Sequence, residues 1–309
     1  MARFRFAVQL TGAADGRAWR ELARRVEGLG YSTLYVPDHF GDQWDPVVAM
    51  CVAAEATSHL RVGSLVFDND FRHPLVLAKQ VATLDLASEG RVEFGLGAGW
   101  LRSDYQASGI SYDPAGVRVE RMAEALAVMK ALWSEGRASF SGRHYRLEGA
   151  TGAPLPRSRP HPTIVIGGGS PKVLSIAARE ADVVGVNPSL AAGEVNAQVA
   201  ASARAERFRE RVAWVRQAAG ERFGSLELQC LTFAVQVVPD ARRVLGAIAP
   251  RFGASPDDAA EMPIVLVGSE EEIAERLQQR REEYGFSYWV VHEAEMEAFA
   301  PVVARLAGT

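Results

Sequence analysis

Eight apolar runs of strand length recur along the chain, and helical patterns separate most of them. The runs are FRFAVQL (4–10), TLYV (33–36), RVGSLVF (61–67), RVEFGLG (91–97), TIVIGG (163–168), DVVGV (182–186), LELQCLTFAVQVV (226–238) and YWVVH (288–292). Helical periodicity lies near Asp15–Gly30, Asp45–His59, Pro74–Ser88, Gly116–Glu135, Pro171–Glu180, Arg204–Gly220, Glu270–Tyr284 and Ala298–Ala307. A helix between successive strands makes those strands parallel, because only a crossover can return the chain to the same edge. Strand then helix, about eight times, is the count of a (β/α)8 TIM barrel. An open doubly wound sheet is the other architecture this alternation can build. The even spread of strands over 1–309 favours one closed barrel domain.

Two stretches depart from the repeat. Residues 136–162 turn polar and rich in Arg, Gly and Pro, which reads as a long loop. Residues 188–219 are long for one barrel helix, and Glu194, Asn196 and Gln198 near the start suggest an excursion over the barrel mouth.

The second run ends in a chemically suggestive way. Pro37 closes TLYV, and Asp38 and His39 follow at once. An acid and an imidazole just past a strand end sit at the carboxyl edge of the sheet, where parallel α/β folds keep their chemistry. Asp38 either orients His39 or caps the next helix; His39 is either an acid–base group or a surface loop residue.

Two glycine-rich strand ends also stand out. Gly95-Leu-Gly97-Ala-Gly99-Trp100 is not the dinucleotide fingerprint and follows the fourth strand rather than the first. Gly167-Gly168-Gly169-Ser170-Pro171 places an N-cap serine and a first-turn proline after three glycines. Such a turn exposes backbone N–H groups at a helix N-terminus, which favours an anion; the other reading is a tight βα turn.

Composition narrows the partners. Forty-eight per cent hydrophobic residues suit a globular core, and a net charge of −4 gives no reason to expect nucleic acid or an anionic membrane. No apolar run approaches the ~20 residues of a membrane helix. No signal-peptide pattern precedes Phe4, and Cys51 and Cys230 read as buried free thiols, so the cytoplasm is the expected compartment. Of the histidines 39, 59, 73, 144, 161 and 292, only His39 and His292 fall at strand ends, and no H-x-H or H-E-x-x-H spacing occurs. No metal site is expected, although a metal-dependent barrel hydrolase or isomerase is a reading of another class.

Taken in order, VPDHF (36–40), Trp44, RVGSLVF (61–67), FRHP (71–74), RVEFGLGAGW (91–100), ERMAEAL (120–126), GGGSP (167–171) and VGSEEEIAERL (267–277) resemble the luciferase-like monooxygenase superfamily, in its branch that uses the deazaflavin coenzyme F420. The set covers nearly the whole chain. The resemblance implies a barrel with the cofactor ring across its C-terminal mouth. It implies a tail phosphate near Gly97, Ala98, Gly99 and Trp100 and near Gly167, Gly168, Gly169 and Ser170. It also implies a non-prolyl cis peptide behind the ring near Leu65–Val66, and a homodimer. The implied activity is hydride transfer between the deazaflavin C5 and a small organic substrate, with His39 as the acid–base group. Flavin enzymes share most of these motifs, so an FMN-dependent monooxygenase fed by a separate reductase is the alternative. The chain departs from the branch's sugar-phosphate dehydrogenases: Trp100, Leu101 and Arg102 stand where those carry a glutamate, and Lys79, Lys130 and Lys172 are the only lysines. Glucose 6-phosphate is therefore not the expected substrate. Phe40, Trp44, Phe67, Phe71 and Trp100 would line the mouth for an apolar or conjugated molecule.

Overall fold

The computed structural model describes residues 2–194 and 196–309. Eight parallel strands form a closed barrel: β1 (Arg5–Gln9), β2 (Thr33–Val36), β3 (Arg61–Ser64), β4 (Val92–Gly97), β5 (Thr163–Gly168), β6 (Val183–Val186), β7 (Glu227–Leu231) and β8 (Phe286–His292). Strands pair in chain order. β1 completes the ring against β8, with Arg5 opposite Tyr288 and Gln9 opposite His292. Each apolar run read from the sequence supplies one barrel strand.

The helices are α1 (Gly16–Gly28), α2 (Pro46–Ala56), α3 (Pro74–Ala87), α4 (Arg102–Ser108), α5 (Ala115–Glu135), α6 (Pro171–Glu180), α7 (Ala197–Ala201), α8 (Ala205–Ala219), α9 (Ala241–Ile248), α10 (Pro256–Glu261), α11 (Glu270–Tyr284) and α12 (Met296–Leu306). Their starts are written locally. Asp15 accepts from Arg17 and Ala18 N–H at α1, Ser170 accepts from Val173 N–H before Pro171 at α6, and Ser269 with Glu272 forms a capping box at α11.

Side chains of a strand alternate between its faces. The outward set (Phe6, Val8, Leu34, Val36, Phe94, Leu96, Val291) joins the helices in the main core, while Ala7, Tyr35, Val165, Val183, Tyr288 and Val290 pack together inside the barrel. Arg5, Ala7 and Gln9 share the inner face of β1, so that face runs from a charged floor to a polar mouth. At the floor, Glu93 is fully buried. It accepts from Arg5, from Arg61 Nε at 2.7 Å, from Tyr35, and from Tyr288 at 3.0 Å; Arg5 also pairs with Glu227 at 2.8 Å. Burial pushes the Glu93 carboxyl up, but Arg5 and Arg61 outweigh it and hold it below its ordinary value.

Three features differ from the sequence reading. Residues 136–162 are not simply a loop, since Arg137–Ser141 and Arg146–Thr151 form an antiparallel pair. Glu124 on α5 anchors its turn by accepting from Arg143, His144 and Tyr145 N–H. The seventh run breaks after Leu231. Ala234–Val237 leaves the barrel and pairs with Val265–Gly268. Cys230 is buried, but Cys51 is exposed on α2. In the stretch beginning at Pro188, the Gly193 carbonyl accepts from Arg102 N–H at 3.0 Å.

Candidate active site

His39 follows β2 at the carboxyl end of the barrel. Its Nδ1 lies 2.6 Å from Asp104 Oδ2, on α4 in the connection that follows β4. The imidazole side chain is 23% exposed and the Asp104 side chain 8%. Asp104 Oδ1 also accepts from Phe40 N–H at 3.4 Å. A carboxylate bonded to Nδ1 fixes the tautomer with Nδ1–H, which leaves Nε2 as the nitrogen able to exchange a proton. Among the described residues Nε2 has no hydrogen-bond partner. Trp100 stands edge-on to the ring, with centroids 5.8 Å apart.

Asp38 plays neither part expected of it. It is buried, accepts from Arg72 Nη1 at 2.6 Å and from Asp68 N–H at 3.0 Å, and does not bond His39. Asp45, not Asp38, caps α2. Arg72 also pairs with Asp45, so Asp38 ties the β2 end to the segment after β3. Beside it, Asp68 and Asp70 share the Tyr105 hydroxyl, and Arg121 reaches Asp70 at 3.3 Å. Burial, with Asp70 and Asp38 adding to it, pushes the Asp68 carboxyl up to about 7 despite hydrogen bonds from Asp70 N–H and Tyr105. Burial raises Asp70 and Asp38 as well, against Arg121 and Arg72 respectively.

The upper inner layer of the barrel brings the amides of Gln9 and Asn187 to the mouth, with Leu65 and Leu231 packed on the inner cluster. Gln9 Nε2 donates across the mouth to the Leu65 carbonyl at 2.9 Å, and the Leu65–Val66 peptide is cis. Gly97 and Gly167 occupy inward positions; a Cβ on Gly97 would meet Val66 Cγ2 at 2.5 Å, and one on Gly167 would meet Asn187 Nδ2 at 3.2 Å. Asn187 Oδ1 is buried with no hydrogen-bond partner among the described residues. An unpaired buried amide oxygen beside Gly167 fits a heterocycle that carries an N–H edge.

The glycine turns carry a more mixed message. Gly99 has φ +73°, and the room of its missing Cβ is taken by Tyr105 and Asp68. A Cβ on Gly168 would meet Val173 at 2.5 Å, and one on Gly169 would meet the Asn187 and Pro188 carbonyls at 2.7 and 2.6 Å. Packing therefore requires these glycines whether or not an anion binds. The α6 N-terminus, with Ser170 as its cap, remains partly exposed and available to a ligand.

The aromatic residues separate. Phe40 is 51% exposed and packs against Phe71 with centroids 4.4 Å apart and the rings tilted by 36°; Phe71 continues to Tyr105. Phe67 is fully buried against Phe94, so it belongs to the core and not to the mouth. Trp44 leans on Trp19, with its edge over Gly12. Among the described residues no group of three or more His, Cys, Asp or Glu is placed to hold a metal ion.

Asp104, Gln9 and Asn187 were not read from the sequence. Asp104 lies beyond the Trp100-Leu101-Arg102 positions where an acid was sought. The other two could have been found by carrying the two-residue period of FAVQL and VVGVN through to the strand ends.

Residues 1–227 match the family model for luciferase-like monooxygenases. The F420-dependent glucose-6-phosphate dehydrogenase of Amycolatopsis mediterranei is 31% identical over 170 residues, covering 52% of this chain and 50% of that protein. The FMNH(2)-dependent dimethylsulfone monooxygenase of Pseudomonas putida is 30% identical over 186 residues, covering 58% and 51%. The chain thus spans about half the length of these curated relatives. The coenzyme F420 dependent tetrahydromethanopterin reductase from Methanopyrus kandleri superposes with a TM-score of 0.79 over 99% of both chains at 17% identity, a likeness of fold. Since the family match covers well over half the sequence and the barrel agrees with it, the chain belongs to the luciferase-like monooxygenase family.

Proposed function

We propose that the protein is an F420-dependent oxidoreductase acting on a small apolar or conjugated organic substrate. The observation that carries the reading is the His39–Asp104 pair at the rim of the barrel mouth, an imidazole with one nitrogen anchored and the other without a partner among the described residues. A bound deazaflavin would supply hydride chemistry at its C5. Asn187 and Gln9 would hold the ring's polar edge, and Ser170 with the α6 N-terminus would hold the tail anion. His39 Nε2 would give a proton to the substrate oxygen, or take one from it, while Asp104 keeps Nδ1 protonated and steadies the imidazolium. Phe40 and Phe71 would form an apolar rim for the substrate.

The similarity to an FMNH(2)-dependent enzyme favours one second reading, a flavin monooxygenase served by a separate reductase. Two assays divide them. Anaerobic turnover of F420 against a panel of secondary alcohols and enones supports the first; oxygen uptake driven by reduced FMN, with none by reduced F420, supports the second and rejects the first.

Two further expectations accompany this reading. The two free cysteines suit the cytoplasm, and among the described residues no helix is long and apolar enough to cross a membrane. Val48 on α2, 59% exposed, and Val76 and Leu86 on α3, 51% and 42% exposed, suit a second copy of the chain. Sedimentation should give a dimer at micromolar concentration, and a monomer there would reject it.

A further inference from the structure

A second apolar space lies away from His39. A cavity of about 460 Å³ opens beside the end of β7, between the 188–203 stretch and the α9–Phe252 segment. That volume falls within the ~300–1,000 Å³ of small-molecule sites. Its walls include Val199, Phe233, Ile248, Phe252 and Ile264, and among the described residues its one charged wall residue is Arg251. Phe233 is 40% exposed, although its neighbours Val199, Ile248 and Ile264 are buried.

The charged group on the cavity wall is a guanidinium, while the Glu194 carboxylate accepts from the wall residue Asn196 at 3.4 Å. Asn196 turns its Oδ1 to Gln198 and Val199 N–H and so offers the cavity no acceptor. Arg204 donates to the Gly253 carbonyl at 3.3 Å, two residues along the chain from Arg251. Among the described residues neither arginine takes part in a salt bridge, although the chain as a whole carries a net charge of −4. Around the barrel, β1 and β8 stand between this cavity and the β2 end that bears His39.

Apolar walls with an unpaired cation at the edge are complementary to a molecule with an apolar body and one negative end. We infer that this cavity is a binding site for an amphipathic organic anion, an aliphatic or aryl chain against Phe233 and Ile248 with its single carboxylate or sulfonate on Arg251. The site requires no cofactor, so it stands or falls apart from the oxidoreductase reading.

Calorimetric titration of the full chain, without cofactor, by hexanoate, octanoate, decanoate and decan-1-ol tests it. Affinity should rise about three- to fourfold for each methylene added. Arg251→Ala should weaken decanoate about tenfold and decan-1-ol by less than about twofold, because only the acid loses a charge-assisted partner. Phe233→Asp puts a carboxylate on an already exposed position, so it should fold normally and weaken decanoate at least about tenfold. Absence of binding to the folded wild type, affinity independent of chain length, or equal losses for acid and alcohol in Arg251→Ala would each overturn the inference.

Discussion

The two ends of the barrel both carry buried carboxylates, and they treat them oppositely. At the floor, Arg5 and Arg61 meet Glu93 and Glu227, with Tyr35 and Tyr288 donating to the same Glu93 carboxylate. Charges balance there, and Glu93 stays ionised below its ordinary range. Around the mouth, Arg72, Arg121 and His39 pair with Asp38, Asp70 and Asp104, and Arg118 lies near Asp70, but among the described residues no base pairs with Asp68. Burial, with the Asp70 and Asp38 charges adding to it, raises Asp68 to about 7. A saturated network plugs and rigidifies; an unsaturated one keeps groups that can change protonation near neutral pH. Barrel folds place stability at the N-terminal face and chemistry at the C-terminal face, and here the charge balance follows that division.

The comparison breaks first at Glu93. Glu93→Gln leaves two partly buried guanidinium groups short of a counter-charge and should cost about 3–5 kcal/mol. Thermal unfolding should show it, with cofactor affinity of the folded fraction little changed. The sign with pH follows from the depressed value. The Glu93 contribution is present in full above the ordinary carboxylate range and is lost as pH falls through the lowered pKa. Wild-type protein should lose this contribution in acid, whereas the variant should lack that component.

At the mouth the losses should fall on turnover instead. His39→Ala should lower kcat by about 10²-fold or more with a substrate found by the screen, while unfolding stays within about 0.5 kcal/mol of wild type. Asp104→Asn should lower kcat by about tenfold or more with KM nearly unchanged, and Asp104→Glu should recover part of it. Equal activity in both Asp104 variants and wild type would leave Asp104 as a loop anchor for Phe40 N–H alone.

The smallest effect belongs to Asp68. Its pKa is raised in the folded chain, so folding favours its protonated form. Stability from this group is full below the ordinary Asp value of 3.8 and declines as pH rises toward about 7. Asp68→Asn keeps an acceptor for Asp70 N–H and removes the charge. It should gain about 1–2 kcal/mol over wild type at pH 8 and nothing at pH 4. A uniform gain at both values would place the effect in packing rather than titration.

Much of the barrel was legible because its strands are short, fully buried and bounded by caps. TLYV, TIVIGG and YWVVH each lie within a single barrel strand, and Ser170-Pro171 does start a helix. The polar antiparallel pair at 137–151 was not legible. Its strands bury few residues, so no apolar alternation marks them. At the site, the cis peptide falls at Leu65–Val66 as expected, and His39 lies at the rim. The partner of His39 was misread because sequence neighbours are not spatial neighbours. Asp38 turns toward Arg72, and the acid that meets the imidazole comes from α4, on another strand's loop. Phe67 was misplaced for the same reason, since alternation along β3 and its extension decides whether a residue faces mouth or core. The glycines were found, but Val173, Asn187 and Pro188 explain Gly168 and Gly169 without a ligand. Gly168→Asp is accordingly no clean probe of an anion site, and substitution of Asn187 tests the ring site with less disturbance.

The central claim is that the uneven end of the barrel is a cofactor mouth. Equilibrium dialysis of the wild-type chain and Asn187→Leu against F420 and against FMN tests it most directly. The account predicts that wild type retains F420 more tightly than FMN, and that Asn187→Leu loses about tenfold of that affinity because a buried amide partner is removed. Folded wild-type protein that retains neither cofactor would contradict it.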